Sequence, residues 1–158
     1  MASRGAAEVT RIRNSLKDAF NRAKRLQGVD PEIQSDLARY LCVLVSGYVE
    51  TAVAELAIEH CRSRSASTVT SYASAQLDRL QNLKSQKLVQ VIGSFDKKWL
   101  AQLSNFMEGA RKDALDSVVD LRNKIAHGES VSLSLGRITQ YYEKIDEIIV
   151  YVENLLSK

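Results

Sequence analysis

A single proline, Pro31, and seven glycines in 158 residues constrain this chain more than any motif does. Sandwiches and barrels turn every few residues and spend Gly and Pro on those turns. A chain so short of breakers is expected to form a few long helices instead, an all-α compact bundle. At this length folding buries about two-thirds of the unfolded surface, enough for one core without a disulfide or metal staple. The expectation is one domain over residues 1–158, with a basic first helix in 1–30 and the bundle core in 31–158.

Apolar periodicity supplies the elements. Val9, Ile12, Leu16, Ala19 or Phe20, and Ala23 recur at helical spacing, which predicts a first helix over 6–27 ended by Gly28. Asp30-Pro31-Glu32 carries three signals of a helix start: a side chain that caps free amides, a proline at the first position, and an acid at the positive end. The second helix is predicted from Pro31 to about Cys61. Ile33, Leu37, Leu41, Leu44, Tyr48 and Leu56 form its broad apolar face, widened by Val45, Val49 and Val53, as in a central buried helix. Gly47 within it implies close approach of a neighbouring helix. Ser63–Ser67 reads as a loop. Shorter helices are predicted over 68–82, 85–95 and 96–107, with Asp96 as a cap. Longer ones follow over 108–127, stopped by Gly128, and over 135–157. The result is four long helices with short ones inserted after the second.

Charge is unevenly spread. The net charge is +3, yet the first thirty residues carry seven cations, Arg4, Arg11, Arg13, Lys17, Arg22, Lys24 and Arg25, against Glu8, Asp18 and Asp30. This segment is either a solvated helix face or an arm that meets phosphate. Cys42 and Cys61 fall in one helix, 19 positions apart, too far to bond each other, and suit reduced thiols in a core. The opening Met1-Ala2-Ser3-Arg4-Gly5 lacks an apolar leader core, and no window is expected to span a membrane. A cytoplasmic protein without membrane contact is expected.

Chemistry has few places to sit. There is no glycine-rich phosphate loop, no HExxH and no zinc-spaced Cys/His set, so no cofactor and no metal are expected. The two histidines are His60 and His127. His60, at the end of the second helix, suits the negative helix end and its loose carbonyls. His127 could do the same, but it follows Arg122, Asn123 and Lys124. Two permanent cations, an amide and an imidazole within two turns suit a phosphodiester: arginine forks to two phosphate oxygens and histidine moves protons near neutral pH.

The segment Leu121-Arg122-Asn123-Lys124-Ile125-Ala126-His127-Gly128 resembles the R-x4-6-H motif of the HEPN superfamily, placed late in a helix that is followed by one more. Ser46-Gly47-Tyr48-Val49-Glu50 is similar to the Glu-bearing central helix of its RiboL-PSP-like branch. The likeness spans residues 30–157. It implies an HEPN-like bundle and a metal-independent endoribonuclease on single-stranded RNA, leaving 2′,3′-cyclic phosphate ends, in a toxin or phage-defence effector. Carried over, Arg122 and His127 are catalytic, holding the phosphate and moving the proton. Asn123 orients them, Lys124 adds phosphate affinity, and Glu50 is a supporting hydrogen-bond partner. Glu129 stands where some branches carry a tyrosine, so chemistry that needs one is not expected. An ideal helix sets Arg122 and His127 roughly 140° apart, so a homodimer with a composite site is expected, as HEPN ribonucleases form. RNA and an antitoxin or regulatory protein are the other expected partners.

Two rival readings remain. One is a non-catalytic HEPN module binding RNA, nucleotide or a protein partner. The other is a plain helical interaction protein using the arginine-rich first helix. No aromatic RNA-recognition surface is evident, because Tyr72, Trp99, Tyr141 and Tyr142 read as packing residues.

Overall fold

Capping signals and apolar stripes place seven helices in the computed structural model, which describes residues 2–26 and 28–158. Helix α1 is Arg4–Arg25, started by Ser3, whose hydroxyl accepts from the Ala6 N–H at 3.2 Å. The predicted end at Gln27 lies outside the described residues, as does Met1. Helix α2 is Pro31–Arg62, and the Asp30 carboxylate accepts from the Glu32 N–H at 2.8 Å, as its three start signals require. The short helices α3 (Ser67–Leu77), α4 (Ser85–Gly93) and α5 (Lys97–Met107) follow, then α6 (Ala110–Ala126) and α7 (Leu135–Leu156). Asp96 caps α5 through the Lys98 N–H at 2.8 Å.

Directions follow from a few contacts. Tyr48 meets Asp146 and His60 meets Leu156, so α2 and α7 run the same way. Phe20 stacks on Tyr142 at 4.8 Å, and Gly5 lies against Glu55, so α1 runs opposite to both. Arg111 pairs with Glu147 and the chain turns back after α6, so α6 also opposes them. Helix α2 lies between α1, α6 and α7, and its Leu41, Val45, Tyr48, Ala52 and Val53 are fully enclosed.

Several expectations change with the packing. Helix α2 is long and apolar enough to cross a membrane by length and composition, contrary to the reading that no segment is; two-thirds of its apolar window is buried, as in a core helix. Ile33 was expected in the buried face but is 47% exposed, because no helix covers that side of the first turns of α2. Gly47 has open space where a Cβ would stand. The close approach occurs at Gly5, where a Cβ would lie 2.8 Å from the Glu55 carbonyl oxygen. Tyr72 is 70% exposed rather than packed. The predicted 68–82 helix stops at Leu77, since the next residues are held in a loop by Glu50, Asp116 and Asp120. Glu108 and Gly109 lie outside α6, Gly109 with φ of +92°.

Helix α1 is part of the core, not an arm: Val9, Leu16, Phe20 and Ala23 are buried, and its other face keeps most of its cations in solvent. Arg13 is the exception. Its Nε donates to Asp146 Oδ1 at 2.8 Å, the same oxygen that accepts the Tyr48 hydroxyl at 2.8 Å. Burial opposes the Arg13 charge, but the hydrogen bond and charge of Asp146 hold it protonated.

Burial, and then the negative charge of Asp146, push the Tyr48 phenol up and that of Tyr142 up to about 12. Both phenols thus ionise more readily unfolded than folded. The stability they contribute is complete below the ordinary phenol value of 10.0 and is lost as pH rises toward about 12. Urea titrations across that alkaline window are expected to show falling stability, with a shallower fall for Tyr142→Phe.

His60 serves a helix end, but not its own. Its Nδ1 hydrogen-bonds the Leu156 carbonyl at 2.8 Å, and its ring meets Phe95 and Trp99 edge-on, each at 5.4 Å. Cys42 is buried and its thiol, pushed up to about 11 by burial, donates to the Val118 carbonyl at 3.6 Å. Cys61 is half-buried, and both thiols are free.

Candidate active site

Helix α6 ends where a glycine can adopt φ of +73°, at Gly128. The Gly128 N–H donates to Ile125 O at 3.1 Å and the Glu129 N–H to Lys124 O at 2.9 Å. That bond pair is a Schellman motif, which satisfies the last carbonyls and makes His127 the cap residue. His127 is therefore held by its backbone, while its imidazole is exposed and makes no hydrogen bond among the described residues.

One turn earlier, Arg122 is half-buried and Lys124 exposed; neither takes part in an ion pair among the described residues. Arg122 Nη1 donates to Asn123 Oδ1 at 3.1 Å. That bond has a geometric consequence. Asn123 and His127 are four residues apart and share a stripe of α6. By reaching toward Asn123, the guanidinium leans toward the histidine side and closes part of the angular gap that the helix imposes. Two cations, an amide and an imidazole then face solvent at one helix end, an arrangement able to hold a phosphodiester and shift a proton.

The same stripe begins at Asp116 and Asp120, by helical spacing. These are residues that sequence reasoning passed over, although the 116-120-123-127 periodicity was there to read. Asp116 accepts from the Ser85 N–H at 2.8 Å and the Ser85 hydroxyl at 2.9 Å, and Asp120 pairs with Lys84 at 2.6 Å. The loop between α3 and α4 is thereby pinned across the upper part of the stripe. Its lower part, Asn123 and His127, is left uncovered.

Glu50 is not brought to this group. Its Oε1 accepts from the Asn82 N–H at 3.3 Å, at the other edge of the same loop. The α2–α6 contact at Cys42 and Val118 fixes the register of the two opposed helices. Glu50 lies eight residues to one side of that contact and Arg122 four to the other. Their axial separation is about 18 Å at ~1.5 Å per residue. Glu50 thus acts as a loop anchor, and Arg122, Asn123, Lys124 and His127 stand together without it. Among the described residues no set of three or more His, Cys, Asp or Glu side chains is placed to hold a metal ion.

The profile of the family described as RiboL-PSP-HEPN matches residues 7–158, taking in α1 as well as the later helices. No curated protein and no solved structure matches the chain.

Proposed function

The chain belongs to the RiboL-PSP-HEPN family, and from that premise we propose that it is a metal-independent endoribonuclease acting on single-stranded RNA. The family points to nuclease or RNA-related work. The observation that carries the finer reading is the uncompensated Arg122, hydrogen-bonded toward the stripe of α6 that ends at the exposed His127.

The chemistry follows from those groups. Arg122 forks to the two non-bridging oxygens of a phosphodiester and stabilises the charge that gathers on them as phosphorus becomes five-coordinate. His127 accepts the proton of the neighbouring ribose 2′-hydroxyl as its oxygen bonds to phosphorus. The P–O5′ bond breaks, the leaving oxygen takes a proton from a second imidazole, and the products are a 2′,3′-cyclic phosphate and a 5′-hydroxyl. One chain has one such imidazole in the group, so His127 of the partner subunit is the natural acid. The site is shared by two copies on this reading. Asn123 positions Arg122, and Lys124 adds attraction for the backbone. The resemblance further carries a cytoplasmic toxin or phage-defence effector held in check by an antitoxin or regulatory protein.

Incubation of the purified chain with single-stranded RNA in excess EDTA tests the reading. Cleavage with cyclic-phosphate and 5′-hydroxyl ends is the expected result. Salt-sensitive binding without cleavage across many RNAs would overturn it in favour of a non-catalytic RNA-binding module.

A further inference from the structure

Helices α1 and α6 both run opposite to α2 and α7, so both end where α2 and α7 begin. One end of the bundle therefore holds the last turn of α1 together with the Arg122–His127 group. Residues 17–39 and 121–142 form this end, and they contain eight Lys or Arg against five Asp or Glu. That excess equals the net charge of +3, so the remainder of the chain is neutral. Arg22, Lys24 and Arg25 crowd the last turn of α1, all exposed and none in an ion pair among the described residues. A cation favours the negative end of a helix, but Arg22 and Arg25, three positions apart, repel each other. An anion from outside the chain removes that repulsion.

The acids of this end decide which way such an anion can run. On the α2 side Asp30 caps the helix, Glu32 is exposed, and Asp36 pairs with Arg39. Asp18 lies one turn below Arg22, and Glu129 follows the end of α6. The first two turns of α7, residues 135–142, carry Arg137 as their only charge. The Arg111–Glu147 pair sets the register of α6 against α7 and brings Lys124 level with Ser134, within a turn of Arg137. On the other side of α7, Lys24 lines a groove of about 170 Å³ together with Leu135, Gly136 and Thr139. Gly136 leaves the middle of this path without a side chain, and a Cβ there would meet nothing nearer than Ser134 Oγ at 3.9 Å.

We propose that single-stranded RNA held by Arg122 and His127 continues over the first turn of α7, past Arg137 and Gly136. Lys24 and Arg25 at the end of α1 then bind its backbone, several phosphates away from the cut. The identity of the strand rests on the ribonuclease reading. Two helix spacings of ~8–10 Å separate the axes of α6 and α1, roughly 20 Å in all, or about six stacked nucleotides. A substrate with one phosphodiester cannot reach that far, and a dodecamer can. Such contacts favour long substrates over short ones without choosing a sequence.

Fluorescence anisotropy with a labelled RNA dodecamer tests the tract, in EDTA and on the full-length His127→Ala chain so that the probe stays whole. Adding Lys24→Ala/Arg25→Ala is expected to weaken binding about 10-fold at roughly 0.1 M salt and to flatten the log–log salt slope by about 1.4, two cations at ~0.7 each. Lys97→Ala/Lys98→Ala removes the same charge from the start of α5, at the other end of the bundle where Trp99 meets His60, and should alter neither. Gly136→Glu guards against a folding artefact. Its carboxylate suits a helix start and replaces a poor helix former, so Tm should hold or rise while RNA binding falls. Equal slopes in the two double variants, or Gly136→Glu binding RNA like its parent, would overturn the tract. Cleavage is scored separately, with His127 in place. Lys24→Ala/Arg25→Ala should slow cutting of the dodecamer at limiting concentration and leave a dinucleotide cut at the wild-type rate. Equal losses on both substrates, or no loss on the dodecamer, overturn the tract and leave the ribonuclease reading standing. Salt-steep binding that depends on Lys24 and Arg25, with no cutting of any RNA, supports the tract and counts against the ribonuclease reading alone.

Discussion

Arg122→Ala and His127→Ala are each expected to lower RNA cleavage in EDTA by about 10²–10⁴-fold while leaving the fold intact. The structure explains why activity and stability separate at these positions. His127 is exposed, and the motif that ends α6 depends on the φ of Gly128, not on the imidazole. Arg122 has no ion pair to lose, only its hydrogen bond to Asn123. Each substitution should therefore shift stability by no more than about 1 kcal/mol. Asn123→Ala frees the guanidinium without removing it, so a smaller loss, accompanied by weaker RNA binding, is expected. Mixing the two inactive variants sharpens the test. In a shared groove, a mixed dimer regains one Arg122 and one of the two imidazoles, so it should cut faster than either inactive variant while still lacking the second imidazole for the leaving group. A site complete within each chain would regain nothing. Unchanged cleavage by either single variant would remove that residue from the mechanism.

The fold was legible because its signals are local. Asp30-Pro31-Glu32 specifies a helix start within three residues, and the cap forms as those side chains dictate. Gly128 specifies a stop in the same way. The errors fall where tertiary contacts decide. Nothing near Leu77 ends α3 by itself; the loop after it is fixed by Glu50, Asp116 and Asp120, residues 27 or more positions away in the chain. Glu50 shows the same limit at the site. The family resemblance makes Glu50 a supporting hydrogen-bond partner, and it makes such a bond, but to the Asn82 N–H. Periodicity says which residues share a face of a helix and not what lies across from it. Ile33 and Gly47 mislead for that reason, since an apolar stripe looks the same whether or not another helix of the chain lies across it.

The largest stability effect is expected at Asp146, which sequence pattern did not single out. One carboxylate oxygen there accepts from both Arg13 Nε and the Tyr48 hydroxyl, so it joins α1, α2 and α7 at a single atom. The Arg13 and Asp146 side chains are 15% and 24% exposed, so water compensates little for a lost partner. Asp146→Ala strands a guanidinium, whose nearest remaining anion is Glu153 at 3.7 Å, and a buried phenol. A loss of about 3 kcal/mol is expected, or a fall in Tm of roughly 6–12 °C for a chain of this size. Tyr48→Phe removes a single bond to the same oxygen and should cost about 1 kcal/mol. Replacing both ions, Arg13→Met with Asp146→Leu, should recover most of the loss, because neither charge is then buried without its partner. Thermal unfolding of the single and double variants closes the cycle. An Asp146→Ala loss no greater than that of Asp36→Ala, an exposed carboxylate that pairs with Arg39 within α2, would show that this junction does not hold the three helices together.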